Sequence, residues 1–233
     1  MISEVSMKVK RFIGGSLEEN SYVAYYKTGG ECYIIDPGHS PDKILKFVKE
    51  EKLSPKGILL THHHYDHTDG VDKLCEAREL PVYLHREDLD MYGGEVDVIL
   101  EGDDILTLDE GYLTVIHTPG HTGGSVCFYF ADSKVIFTGD TLFYDDIGRT
   151  DFKDSDDRRM HKSCHKLSEL LESDTMVYPG HDNFGSMKAI RKVNSYFNEY
   201  AFDVITHNLL ASSCTLHRRK FRINVSVHIC INF

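Results

Sequence analysis

Apolar residues fall into short β-rich runs and a few stretches of helical period. The runs at 7–13, 21–26 and 31–35 are separated by Gly14-Gly15 and Gly29-Gly30, which predicts an antiparallel meander. Pro41 suits the first position of a helix, and an amphipathic helix is expected over 41–52 with Ile44, Leu45, Phe47 and Val48 on its buried face. Residues 57–60 form a short, wholly apolar run, the pattern of a central strand covered on both faces. A helix follows over 69–80 and a strand over 81–84. A second β-rich series occupies 113–117, 125–130 and 135–138, with turns at Pro119-Gly120 and Asp132-Ser133. Helical patterns at 157–172 and 186–200 flank a strand at 175–178. Two sheets packed face to face with helices outside accommodate this order. No internal repeat recurs at a fixed period.

The last thirty residues differ in kind. Asp203 is the final acid, and Arg218, Arg219, Lys220 and Arg222 follow it. Phe221, Ile223, Val225, Val227, Ile229, Ile231 and Phe233 then alternate with mostly polar residues, a strand pattern suited to a sheet edge of this chain or a partner's. The expected organisation is therefore one domain over 1–203 and a strand-like tail over 204–233.

An apolar fraction of 41% and an aromatic fraction of 11% are enough to fill a core in 233 residues. A net charge of −11 opposes general binding to nucleic acid or to anionic membranes. No apolar run approaches the length of a membrane span. The expected partner is a small-molecule substrate, and a homo-oligomer is compatible with the sequence. Six scattered cysteines without a Cys-x-x-Cys pair read as free thiols, and residues 1–10 lack the apolar core of a signal peptide. Both features point to a cytoplasmic protein.

Chemistry concentrates at 61–70, Thr-His-His-His-Tyr-Asp-His-Thr-Asp-Gly, with four imidazoles and two carboxylates. If buried, so many polar nitrogens need partners, and a cation supplies them economically. Extended residues two apart point the same way, so His62 and His64 can grip one metal from one face. Asp66 and His67 follow where the chain turns and can reach a second metal. Alternation points His63 away from these neighbours, towards structural packing.

Three further segments accompany the cluster: His-Thr-Pro-Gly-His-Thr-Gly-Gly-Ser at 117–125, Phe-Thr-Gly-Asp-Thr-Leu-Phe at 137–143, and Tyr-Pro-Gly-His-Asp at 178–182. Each follows a predicted strand and carries a glycine-bearing turn. In order and spacing the four segments resemble the metallo-β-lactamase superfamily. Asn20-Ser21-Tyr22, Ile35-Asp36-Pro37-Gly38 and Ile-Gly-Arg-Thr-Asp-Phe at 147–152 look like family positions too, the last as in the glyoxalase II-like (hydroxyacylglutathione hydrolase-like) single-domain branch. The resemblance implies the α/β class and an αββα four-layer sandwich, the metallo-β-lactamase fold.

It also implies two divalent metal ions. His62, His64 and His121 would hold the first and Asp66, His67 and His181 the second, with Asp140 bridging both. Zinc suits this mixture best, and iron or manganese would accept it. Two divalent ions less two carboxylates and one hydroxide leave a positive surplus, which favours a bridging hydroxide at neutral pH. The activity so implied is hydrolysis of S-lactoylglutathione-like thioesters by that hydroxide, with Asp66 orienting it and Asp140 holding the metal pair. The alternatives are a mononuclear-iron persulfide dioxygenase or a lactonase of the same superfamily.

Other candidates have weaker signals. Asp36 is either a turn residue or a support for the site. Arg149 and Asp151 read as a structural ion pair supporting their loop. Tyr65, Phe143 and Tyr144 are candidates for the substrate cleft. His117 is expected in the core, and His39, His85, His161 and His165 facing solvent or polar neighbours.

Overall fold

The computed structural model describes residues 6–109 and 111–197. The strand pattern at 221–233 and the boundary at 203/204 lie outside the described residues. β1 (Lys8–Gly14), β2 (Glu19–Tyr25) and β3 (Glu31–Ile35) form the expected antiparallel meander, with Phe12 opposite Ser21 and Tyr22 opposite Ile35. β4 (Ser54–Leu59) runs parallel to β3 on one side and to β5 (Val82–His85) on the other, and β6 (Val98–Leu100) completes a six-stranded mixed sheet. The apolar run at 57–60 is thus a central strand end, as its pattern requires.

A second six-stranded sheet has the order β12-β11-β10-β9-β8-β7. β7 (Ile105–Leu108), β8 (Gly111–His117), β9 (Val126–Phe130) and β10 (Val135–Gly139) are antiparallel neighbours. β11 (Met176–Pro179) runs parallel to β10, and β12 (Gly185–Ser186) closes the edge antiparallel to β11.

Alternation along the strands separates three apolar layers. In β2, Tyr22 and Ala24 face the other sheet while Val23 and Tyr25 face outward; in β9, Val126, Phe128 and Phe130 face inward while Cys127 and Tyr129 face outward. The inward set from both sheets forms one core around Tyr22, Tyr33, Phe128, Phe130 and Phe137, and burying one such Phe contributes about 1.5–3 kcal/mol. Outside the first sheet, Ile44 and Val48 of α1 (Pro41–Glu50) and Val71 and Leu74 of α3 (Val71–Ala77) cover Ile34, Ile58 and Leu60. Outside the second, Met160, Cys164 and Leu167 of α5 (Asp157–Leu170) and Ile190 of α6 (Met187–Val193) cover Ile116, Cys127 and Ile136. This is the αββα sandwich.

Three helix boundaries correct the expectations. The first helix stops at Glu50, because Lys52 takes a left-handed conformation (φ 54°). The helix expected over 69–80 begins earlier, as α2 (Tyr65–Thr68) inside the histidine cluster, and resumes as α3 after Gly70, where a Cβ would lie 2.0 Å from the Pro37 carbonyl oxygen. The helix expected over 186–200 ends at Val193, where Asn194 donates its side-chain amide to the Phe143 and Asp146 carbonyls (3.2 and 2.8 Å). A 3₁₀ turn (Arg86–Asp88) and α4 (Leu89–Tyr92) follow β5. No described helix is long and apolar enough to cross a membrane.

Candidate metal centre

The four motif segments meet where strands end. His62 and His64 leave β4, and His67 N–H donates to the His64 carbonyl (3.1 Å), turning Asp66 and His67 back in α2. His121 lies in the loop after β8, Asp140 directly follows β10, and His181 follows β11. β8, β10 and β11 run in one direction, so their C-terminal ends share one edge of the sheet.

All seven predicted metal-site residues come together there. Nitrogens of His62, His64 and His121 lie within 4.8 Å of one another, as do the donor atoms of Asp66, His67 and His181. His64 Nδ1 and His121 Nε2 are 2.9 Å apart. Asp140 stands between the trios: its Oδ2 is 3.4 Å from His121 Nε2 and 3.6 Å from His181 Nε2, and its Oδ1 is 3.4 Å from His67 Nε2. Asp66 Oδ2 is 3.3 Å from His181 Nε2 and 3.8 Å from His67 Nε2.

Hydrogen bonds on the far side of four of the five rings aim the free nitrogen inward. Thr61 Oγ1 donates to Asp36 Oδ2 (2.7 Å), so it accepts from His62 Nδ1 (3.0 Å) and leaves His62 Nε2 for a cation. Asp36 also accepts from His67 Nδ1 (3.1 Å) and from Thr61 N–H (2.7 Å). His121 Nδ1 donates to the Arg149 carbonyl (2.9 Å) and His181 Nδ1 to the Leu17 carbonyl (3.0 Å). Fixing one nitrogen in this way sets the tautomer and direction of the other. Asp36, with φ 46° and almost no exposure, therefore acts on the centre rather than as a simple turn residue.

The donors fit a pair of divalent cations. His62 Nε2, His67 Nε2 and Asp140 Oδ1 are buried without a hydrogen-bond partner, an unfavourable arrangement that a cation relieves. Two glycines keep the space open: a Cβ on Gly180 would lie 2.2 Å from Asp140 Oδ1 and 2.6 Å from His67 Cε1, and one on Gly148 would lie 1.7 Å from the Asp140 carbonyl oxygen. Imidazole and carboxylate donors suit zinc and iron alike.

Without a cation the trios differ electrostatically. Burial and the neighbouring imidazoles push His62 well below its ordinary value and His64 down to about 4. Burial also works against protonating His67, but Asp140 and Asp36 outweigh it and hold the ring well above its ordinary value. At His181 burial is likewise overcome, by Asp66 and Asp140, and the value rises. Burial opposes ionising Asp140, yet His67, His121 and His181 together keep it well below the usual carboxylate range.

Of the supporting residues, Asp88 carried no local signal, whereas His63, Asn20 and Tyr22 lie in segments already singled out. Asp88, 1% exposed, accepts from His63 N–H (3.0 Å), Thr122 Oγ1 (2.9 Å) and Gly124 N–H (2.6 Å), with His63 Nδ1 at 3.0 Å. One carboxylate thus ties the loop bearing His62 and His64 to the loop bearing His121. His63 turns away from the centre as alternation predicts, towards Asp88 and Asp154. Asn20 Nδ2 donates to the Pro179 and Asp182 carbonyls (both 3.0 Å) and Tyr22 Oη to Pro179 (2.6 Å), which pins the His181 loop to the first sheet.

Leu17, Tyr65, Phe143, Ile147, Arg149 and Phe152 surround the donors in a cleft of about 490 Å³. Tyr65 and Phe143 are where the sequence places them. Tyr144 instead packs against the outer core of the second sheet, so its place in the cleft is corrected. Arg149 does pair with Asp151 (2.6 and 2.7 Å), at the exposed rim of the cleft. His85 is buried and stacked on half-buried His117 with ring centroids 4.0 Å apart, which places His85 further inside than its sequence implies. His39 pairs with Asp69 (3.1 Å), and His161 and His165 lie on α5 beside Asp157 and Glu169.

Comparison with known proteins gives a concordant picture. The metallo-beta-lactamase superfamily profile matches residues 15–181. A probable metallo-hydrolase of Bacillus subtilis, YqgX, is 31% identical over 84% of this chain and the full length of that protein. A hydroxyacylglutathione hydrolase of Francisella tularensis subsp. novicida is 33% identical over 83% of this chain and 77% of the other. Among solved structures, TTHA1623 in a di-iron-bound form superposes with a TM-score of 0.71 at 34% identity, covering 80% of this chain and 99% of that one.

Proposed function

The chain belongs to the metallo-β-lactamase superfamily, and from that premise we propose that it is a dinuclear metal-dependent hydrolase of thioesters, with S-lactoylglutathione as the model substrate. The observation that carries this reading is the pair of donor trios sharing Asp140. His62, His64 and His121 would hold one cation, Asp66, His67 and His181 the other, and Asp140 both. The relative named hydroxyacylglutathione hydrolase supports the reaction class, and the di-iron form of TTHA1623 supports a paired centre and makes iron a candidate beside zinc. Free thiols at Cys32, Cys75, Cys127 and Cys164 support a cytoplasmic setting.

Bound, two divalent cations supply a water-derived nucleophile at neutral pH and polarise a carbonyl oxygen. The chain's own residues position the reactants. Asp66 is kept ionised despite its burial by the His181 ring, and accepts an O–H of the attacking water to aim its lone pair at the carbonyl carbon. The apolar walls around the donors, once covered by a substrate, would keep bulk water from the reacting carbon. A C–O bond forms to the water oxygen, the C–S bond breaks, and the products are a carboxylic acid and a thiol. A thiolate of pKa about 8.5 departs without an acid's help, which matches a centre lined by carboxylates and ligand imidazoles.

The test is thiol release from S-lactoylglutathione by protein stripped of metal and reloaded with zinc or iron. Turnover should track metal content, approaching two ions per chain. Release no faster than in buffer with either metal would overturn the reading. Oxygen uptake on glutathione persulfide at one iron per chain would replace it with the dioxygenase.

A further inference from the structure

We infer that the cleft selects its substrate by an apolar acyl chain rather than by the charges of a glutathione arm, an inference that rests on the thioesterase reading. Apolar side chains flank the donors on both sides. Phe152 lies 5.2 Å from the His64 ring and 5.8 Å from the His121 ring, beside the first trio. Phe143 lies 6.0 Å from the His181 ring, and Leu17 gives that ring its backbone partner, beside the second. Tyr65 and Ile147 extend these walls. Tyr65, Leu17 and Phe152 keep 65%, 49% and 39% of their surface open to water, area that an apolar ligand would cover.

The charges point the same way. Among the described residues lining the cleft, Arg149 is the one guanidinium or ammonium. Its Nε and Nη2 both donate to Asp151, and its Cζ lies 4.3 Å from the Phe152 ring centroid, so that edge of its fork and one face are already engaged. The segment that supplies Phe143 and Ile147 turns tightly between them, with the Phe143 N–H donating to the Asp146 carbonyl (2.9 Å), and exposes Asp145 and Asp146 at its tip. A glutathione moiety brings two carboxylates towards these acids and one engaged cation. An acyl chain would lie against Leu17, Tyr65, Phe143, Ile147 and Phe152. The cleft volume accommodates a chain of several carbons and is too small for a polymer.

Hydrolysis of S-acyl N-acetylcysteamine thioesters from acetyl to octanoyl by the metal-loaded protein, beside S-lactoylglutathione, tests this. kcat/KM should rise up to about fourfold per added methylene until the cleft is full, and S-lactoylglutathione should fall below the butyryl compound. Uncleavable S-alkyl thioethers of the same thiol, titrated by calorimetry, should tighten in parallel. Phe152→Ala and Leu17→Ala remove partly exposed side chains, and each should lower the octanoyl-to-acetyl ratio about fivefold. Rates flat in chain length, or S-lactoylglutathione as the fastest substrate, would overturn the inference and leave the thioesterase reading standing. No thioester cleaved would end that reading, and the thioether series would still decide whether the cleft takes apolar chains.

Discussion

His62 and His64 are pushed towards the neutral imidazole, whereas His67 and His181, across Asp140, are pushed towards the charged one. Each trio has two buried members and one half-buried, so burial alone does not separate them. Carboxylates do: Asp36, Asp66 and Asp140 face His67 or His181, while the first trio meets mainly other imidazoles. A cation entering the first half finds free lone pairs. One entering the second must displace protons that hold the same carboxylates.

The largest effect expected on this comparison comes from erasing the shared residue. Asp140→Ala should lower turnover of S-lactoylglutathione at least about a thousandfold and reduce metal content in both halves, measured by elemental analysis. Two tightly bound ions and full turnover in that variant would sink the paired centre.

Asp88→Asn should act on one half alone. It keeps the shape but weakens the tie between the His63 backbone and the Thr122–Gly124 loop, so cobalt(II) affinity at the first half should fall about 10–100-fold, read from its ligand-field spectrum. An equal loss in both halves would mean that Asp88 supports the fold at large.

A gentler perturbation is pH. The raised values of His67 and His181 mean that their charged forms stabilise the metal-free protein fully below the ordinary value of 6.5, and that this contribution is lost as pH rises through the raised values. Cobalt(II) affinity at the second half should therefore drop about tenfold per unit as pH falls from 8 to 6, by calorimetry. The first half, where His62 and His64 are already pushed towards the neutral form, should show a shallower slope over the same range. Parallel slopes would erase the distinction.

Smallest is an effect beside the second half. Burial pushes the fully enclosed Glu19 carboxyl up to about 8, against a partial offset from the charge of His67. A raised carboxyl contributes stability that is complete below 4.5 and is lost as pH rises towards 8. Glu19→Gln should flatten the fall in Tm of the metal-free protein between pH 5 and 8 by a few degrees, seen by calorimetry. An unchanged slope would mean that Glu19 is ionised in the folded state.

Much of this was legible in order along the chain. The runs at 31–35, 125–130 and 135–138 announce their strands because both faces are covered and the apolar pattern is nearly continuous. β6, β7 and β12 left no usable period at two to four residues each. The break between α2 and α3 was hidden too, since Gly70 answers to the Pro37 carbonyl and not to its own neighbours. Phe152 sat in a segment already singled out, yet nothing local said that it faces His64 rather than solvent.

By itself the sequence determined the donor types and their local spacing: two imidazoles two apart on an extended segment, then an acid and an imidazole where the chain turns. It also carried the three later motifs that identify the superfamily. The tertiary structure decided which nitrogen of each ring is free, which rings carry protons, and that Asp88, Asn20 and Asp36 govern the loops around them. Most of those outcomes rest on contacts between residues 25 to 164 positions apart. Such contacts exist only once the two sheets have closed on a common core, and no local propensity encodes them.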